Sequence, residues 1–151
     1  MAGMQVVIAA ARPADREHVL RLVSESGLPL DGLAEHLESA IVARIDDRVV
    51  GCAALEIYPD GVLLRSVAVA PSSRGCGIGR QLAQAALEAA RRAGATDVYL
   101  LTTTAERFFS QIGFSTIERA VAPAGLQTSV EFQSACPASA TLMRRSLAGV
   151  A

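Results

Sequence analysis

Val67-Ala68-Val69-Ala70-Pro71-Ser72-Ser73-Arg74-Gly75-Cys76-Gly77-Ile78-Gly79-Arg80 is an apolar strand that runs into a glycine loop and on into a helix. Three glycines at alternate positions let the main chain turn sharply and approach a ligand that any Cβ would hold away. The next residues, Gln81-Leu82-Ala83-Gln84-Ala85-Ala86-Leu87-Glu88-Ala89-Ala90, are strong helix formers. The first turn of such a helix offers unpaired N–H groups and the positive end of its dipole to an anion. The stretch therefore reads as a seat for a diphosphate.

Two common nucleotide loops fit poorly. A P-loop ends in Gly-Lys-Ser/Thr, whereas Gly79 is followed by Arg80-Gln81 and all fourteen basic residues are arginine. A dinucleotide fold places G-x-G-x-x-G in its first strand–helix turn, with an acid about 20 residues on. Here the loop reads R-G-C-G-I-G at mid-chain, and after Glu88 the next acid is Asp97.

The chain of 151 residues is long enough for one core. Its apolar half comes in strand- or helix-length runs, short of the roughly 18 consecutive residues of a membrane span. The start, Met1-Ala2-Gly3-Met4-Gln5, lacks the charged region of a signal peptide, so a cytosolic location is expected. Net charge is −1, the arginines are scattered and tryptophan is absent, which argues against a nucleic-acid surface. Cys52, Cys76 and Cys136 are odd in number and show no C-x-x-C spacing, so neither a metal site nor a disulfide scaffold is expected.

Periodicity and turn residues predict the element order. A strand at 6–9 precedes a helix that opens at Pro13 with acids in its first turn, and Gly27-Leu28-Pro29 stops that helix. A short helix at 32–37 is followed by strands at 39–45, 49–57 and 62–70, the last two joined by the turn Tyr58-Pro59-Asp60-Gly61. The helix after the glycine loop ends at Arg91-Arg92 and Gly94. An apolar strand at 97–102 leads to a short helix capped by Thr104, with Phe108, Phe109 and Ile112 inward. Strands at 114–118 and 140–147 flank a helix at 125–134. His18 and His36 read as surface residues. The result is an α/β (α+β) domain spanning 1–151, with a mixed, mostly antiparallel sheet of about seven strands flanked by helices.

Arg74-x-x-Gly77-x-Gly79 after a strand ending Val-Ala-Val-Ala-Pro resembles the acyl-CoA loop of the GNAT N-acetyltransferase superfamily. The run Ala105-Glu106-Arg107-Phe108-Phe109-Ser110-Gln111-Ile112-Gly113-Phe114 resembles that superfamily's second signature, A-x-x-[LF]-Y-x-x-x-G-F, and the element order is the one the GNAT fold has. The resemblance implies that an amine attacks acetyl-CoA directly. It implies that the backbone of Val67, Ala68 and Val69 pairs with pantetheine, one N–H there stabilising the developing oxyanion. Backbone groups of Arg74, Gly75, Cys76, Gly77, Ile78, Gly79 and Arg80 would hold the diphosphate, with Thr104 and Phe109 also on the cofactor.

Two residues depart from the family pattern. Its tyrosine, often the proton donor to the departing thiolate, falls at Phe109, so either the thiolate leaves unprotonated or Cys136 or a water serves. Where many relatives carry a glutamate stands Leu64, and Glu56 is the nearest acid. In a hairpin closed at Pro59-Asp60, Glu56 faces Leu63 and lies diagonal to Arg65 on one sheet face. The two form a cross-strand ion pair, or Glu56 is the base, directly or through water, while Arg65 clamps a substrate carboxylate.

Thr128-Ser129-Val130-Glu131-Phe132-Gln133-Ser134-Ala135-Cys136-Pro137-Ala138-Ser139-Ala140-Thr141-Leu142-Met143 is not a feature of the superfamily as a whole. With Gly27-Leu28-Pro29, Leu64-Arg65-Ser66 and Leu100-Leu101-Thr102-Thr103-Thr104-Ala105, it resembles the arsenic-resistance N-acetyltransferase branch, itself related to the acetyltransferase part of N-acetylglutamate synthases. That implies a small amine acceptor, such as an amino-acid-like organoarsenical. It would lie against Arg65, Ser66, Glu131 and Cys136. Superfamily habit implies a homodimer through the last strands. Peptide acetylation and non-catalytic acyl-CoA sensing are the competing functions.

Overall fold

The computed structural model describes residues 5–135 and 139–147. Seven strands form one sheet in the order β1-β2-β3-β4-β5-β7-β6: β1 Val7–Ala10, β2 Ile41–Ile45, β3 Arg48–Tyr58, β4 Gly61–Val69, β5 Asp97–Thr102, β6 Ser115–Thr116 and β7 Thr141–Ser146. All pairings are antiparallel except β4 with β5. The four helices are α1 Arg16–Glu25, α2 Ile78–Arg92, α3 Glu106–Gln111 and α4 Ala124–Gln127.

Both sheet faces are covered. α2 buries Ile78, Leu82, Ala83, Ala86, Leu87 and Ala90, a stripe at helical spacing that packs on Ala53, Leu55, Val62, Leu64 and Val98. The alanines bring the helix close, and at Gly51 an added Cβ would stand 2.8 Å from Leu82 Cδ1. On the other face, α1 and a 3-10 turn, Leu33–Ser39, cover Val42, Cys52, Ala54 and Ala68. Leu63, Tyr99, Leu126 and Leu142 form a separate cluster farther along that face.

Several expected elements differ. The segment 32–37 is 3-10 rather than α-helical and runs to Ser39. The helix expected at 125–134 breaks into α4 and a π-helical turn, Glu131–Ala135. Thr128 Oγ1 donates to the Gly125 carbonyl at 2.6 Å, and Ser129 Oγ accepts from Phe132 N at 3.1 Å, so side chains compete for helix hydrogen bonds. The strand expected at 114–118 shrinks to Ser115–Thr116 because a 3-10 turn begins at Arg119. Thr104 is not the cap of α3: Thr102 Oγ1 accepts from Ala105 N at 2.9 Å. β7 pairs with β5 along its length and with β6 only at Met143 and Arg144.

Two local departures from regular pairing lie at the middle of the sheet. β4 and β5 pair only at Val62↔Val98 and Leu63↔Tyr99, then part. Across from that gap, the β3–β4 register shifts between Cys52 and Ala54, which face Ala68 and Arg65 respectively. Two residues, Ser66 and Val67, thus oppose one, making a β-bulge. Ser66 carries it at φ +60°, a conformation uncommon for a residue with a Cβ.

Candidate active site

The parted strands open a cleft of about 1050 Å³ that continues to the glycine loop. One wall is β4 from Leu64 to Val69, the other Leu100 to Ala105 with Phe108 and Phe109. Beyond Leu63 the β4 backbone has no strand partner on the β5 side, so its polar groups there face the cleft. Val67, Ala68 and Val69, the residues expected to pair with a ligand, all line it.

Arg74, Gly75, Gly77, Ile78, Gly79 and Arg80 line one end of the cleft. Gly75 and Gly77 have φ of +84° and +78°, and an added Cβ on either would meet nothing within 4 Å. Glycine is thus required there by conformation rather than by space. Gly77 is also the residue before α2, so the turn delivers the N–H groups of that helix to the cleft. Arg74 folds back, its Nε donating to the Val69 carbonyl at 3.0 Å. Cys76 departs from its neighbours: it lines a separate hollow with Gln5, Val6, Ile45 and Gln81. Such a loop, running into an unpaired strand edge, fits a diphosphate joined to an extended amide chain, as in coenzyme A.

The other end is walled by Ser26 to Pro29, Asp31, Arg65, Ser66 and Glu131. Arg65 is its centre. Its Nη1 donates to Glu56 Oε2 at 2.9 Å and to the Asp31 carbonyl at 2.7 Å, and its Nη2 donates to the Pro29 carbonyl at 2.9 Å. Its Nε donates to Ser66 Oγ at 3.2 Å and lies 3.3 Å from Glu131 Oε2. One guanidinium thereby fastens the loop after α1 and the segment after α4 to β3 and β4.

Glu56 is paired with Leu63 in register and ion-paired with Arg65, as the hairpin geometry predicts. It does not line the cleft, however, and is 1% exposed. Tyr58 Oη donates to Glu56 Oε1 at 2.5 Å, and His36 Nε2 lies 3.6 Å from the same oxygen. The ion-pair role is therefore the one the geometry provides, and a direct base role is not. His36 is likewise not a plain surface residue, while His18 is exposed. Burial, then the bond to Glu56, holds the Tyr58 phenol well above its ordinary value, so it stays a donor.

Arg65, too, departs from expectation as a carboxylate clamp, because protein carbonyls and carboxylates already occupy most of its hydrogen-bonding directions. Phe109 is packing as well as wall: its ring meets Phe108 and Phe114 edge-to-face at 5.0 and 5.7 Å. Cys136 lies outside the described residues. The bulge has a support that sequence spacing does not reveal, since Cys52 Sγ donates to the Ser66 carbonyl at 3.3 Å. Burial pushes the Cys52 thiol up to about 12.

The family model described as an acetyltransferase (GNAT) domain matches residues 36–116, more than half the chain. The chain belongs to the GNAT acetyltransferase family. As such, the enzyme takes acetyl-CoA as co-substrate for N-acetyl transfer. It is similar to an uncharacterized N-acetyltransferase of Chlorobaculum tepidum, 29% identical over 131 residues that cover 82% of this chain and 84% of that one. It is also similar to the amino-acid acetyltransferase of Serratia proteamaculans, 27% identical over 146 residues. That match covers 87% of this chain but 33% of the relative, so the chain spans about a third of such proteins. N-acetylglutamate synthase of Neisseria gonorrhoeae, solved with coenzyme A and N-acetyl-glutamate, shares the fold at a TM-score of 0.82 with 24% identity, over 95% of this chain and 35% of that one. Rv2747 from Mycobacterium tuberculosis, solved in complex with CoA, gives 0.78 and 27% over 93% and 99%.

Proposed function

We propose that the acetyltransferase acetylates the amino group of a small, amino-acid-like acceptor that enters the cleft at the Arg65–Glu131 end. The observation that carries this reading is the continuity of one cleft from the glycine loop, past the unpaired β4 edge, to a small polar recess. The related amino-acid acetyltransferases support it. Walls from the 26–31 loop and from Glu131 favour a small molecule over a peptide.

Acetyl-CoA brings the activated acetyl group, and the chain's own residues position it. Amides from Arg74 to Arg80 would hold the diphosphate, with the Arg74 and Arg80 side chains beside them. The main chain of Val67 to Val69 would hold the pantetheine amides, and an N–H there would stabilise charge that develops on the acetyl oxygen. Thr104 and Phe109 would border the same ligand. No tyrosine lines the cleft among the described residues, so water is the proton source for the departing thiolate in this reading. Glu56 acts through Arg65 as a positioning residue.

The resemblance of the 128–143 segment to the arsenic-resistance branch supports amino-acid-like organoarsenicals as members of the acceptor class. We place the reaction in the cytosol. Thiol release from acetyl-CoA over a panel of amino acids and their arsenic-containing analogues tests the function. Turnover on at least one amine is expected. Tight acetyl-CoA binding with no turnover on any would favour a sensor, the reading that Phe109 in place of a tyrosine keeps open.

A further inference from the structure

The cleft is electrically two-ended. Arg74 and Arg80 flank the glycine loop, whereas the far end holds Asp31 and Glu131 at the wall and Glu56 behind it, against the single guanidinium of Arg65. Resting on the acetyl-transfer reading above, we infer that this far end is a cation seat: Glu131 receives the acceptor's ammonium group, and Arg65 serves as an internal counter-ion.

Three observations carry it. First, two carboxylates, those of Glu56 and Glu131, lie within 3.3 Å of one guanidinium, and Asp31 adds an acidic residue at the wall, so the field at the recess favours an incoming positive charge over a carboxylate. His36, 3.6 Å from Glu56, is the other basic side chain facing that carboxylate, and Tyr58 stays neutral. Second, Arg65 is engaged on Nη1, Nη2 and Nε by the protein itself, so an acceptor carboxylate could not form a two-pronged pair with it without displacing Glu131 or a main-chain carbonyl. Third, Glu131 lines the cleft at 4% exposure, and Glu56 does not line it. A carboxylate in so dry a place interacts strongly with an ammonium group. It can also take the proton that the amine must lose before its lone pair attacks the thioester carbon, with the thiolate leaving as CoA. The acceptor class thereby widens from amino acids to amines without an α-carboxylate.

The test compares, by thiol release, each amino acid that supports turnover with its α-amide and with its decarboxylated amine. Their kcat/KM is expected to stay within about threefold of the parent's, whereas Glu131→Gln raises acceptor KM about tenfold or more for all three, the size of one lost charge-assisted contact. The KM for acetyl-CoA is expected to stay within about twofold in that variant, which general damage to the fold would not allow. Glu131→Asp should recover part of the loss, and it stands in if Glu131→Gln fails to fold. Loss of turnover when the carboxylate is removed, or an unchanged acceptor KM in Glu131→Gln, overturns the inference. If the wild-type enzyme acetylates none of the amines while binding acetyl-CoA, the functional reading itself fails and takes this one with it.

Discussion

Asp15 shows how one side chain fixes the first helix to the sheet. Its carboxylate accepts from Arg44 at 2.7 and 2.5 Å and from Arg12 N at 2.7 Å, and the Asp15 and Arg44 side chains are both buried. The hydrogen bond from Arg44, working against burial, holds the Asp15 carboxyl at about 2, below its ordinary 3.8. A lowered acid pKa stabilises the fold above the ordinary value, and the contribution is lost as pH falls from 3.8 towards about 2. Denaturation across that range should show this loss in the wild type. Asp15→Asn should lack it and be weaker at neutral pH by about 3–5 kcal/mol, since Arg44 is left buried without its counter-charge. In sequence Asp15 reads as a first-turn helix acid, and its partner lies 29 positions away. Likewise Glu56 and Arg65 are legible together because a short hairpin places them. Tyr58 and His36 join them only through tertiary packing. The thiols make a second residue-scale test. In a Cys136→Ser background, a thiol reagent should modify exposed Cys76 at once and Cys52 only on unfolding, because burial keeps Cys52 protonated.

Among the elements, the glycine loop is the most legible, because its chemistry is local: alternate glycines, a preceding apolar strand and a succeeding run of helix formers. Gly77→Ala should test it. At φ +78° an alanine costs about 1–2 kcal/mol of local strain, so calorimetry should show weaker acetyl-CoA binding than in wild type. The bulge in β4 is illegible for the converse reason. Ser66 adopts a positive φ without being a glycine, and the cause, a register shift against Cys52 and Ala54, belongs to two strands at once. The 125–134 segment is half legible, since its apolar spacing suggests a helix but Thr128 and Ser129 turn their hydroxyls on the backbone. Packing of α2 on the sheet offers its own check. Gly51→Ala places a methyl against Leu82 and the Ala68 carbonyl, 2.8 and 3.2 Å away. It should lower stability by about 1–3 kcal/mol in a urea melt.

For the whole molecule, the element order and the mixed sheet follow from alternation, turn residues and one parallel crossover, whereas the insertion of β7 between β5 and β6 is a pairing of distant stretches that local pattern does not reveal. The acceptor recess is hidden in the same way, because its walls come from three distant stretches: the loop after α1, the middle of β4 and the segment after α4. Ligand binding tests the assembly as a unit. Acetyl-CoA at a hundredfold excess over its Kd should raise stability by about 2.7 kcal/mol, read as a higher Tm.

The two-pair seam between β4 and β5 has a further consequence for how such an enzyme can change over generations. Above that seam, recognition would be written in amide groups that every residue type but one possesses. Side chains at 67 and 69, which pack part-buried on the core, are therefore held to apolar character rather than to one shape, and alanine at Val67 should cost packing stability while leaving acetyl-CoA binding in place. Proline, which deletes the N–H, is the substitution that heredity cannot accept there.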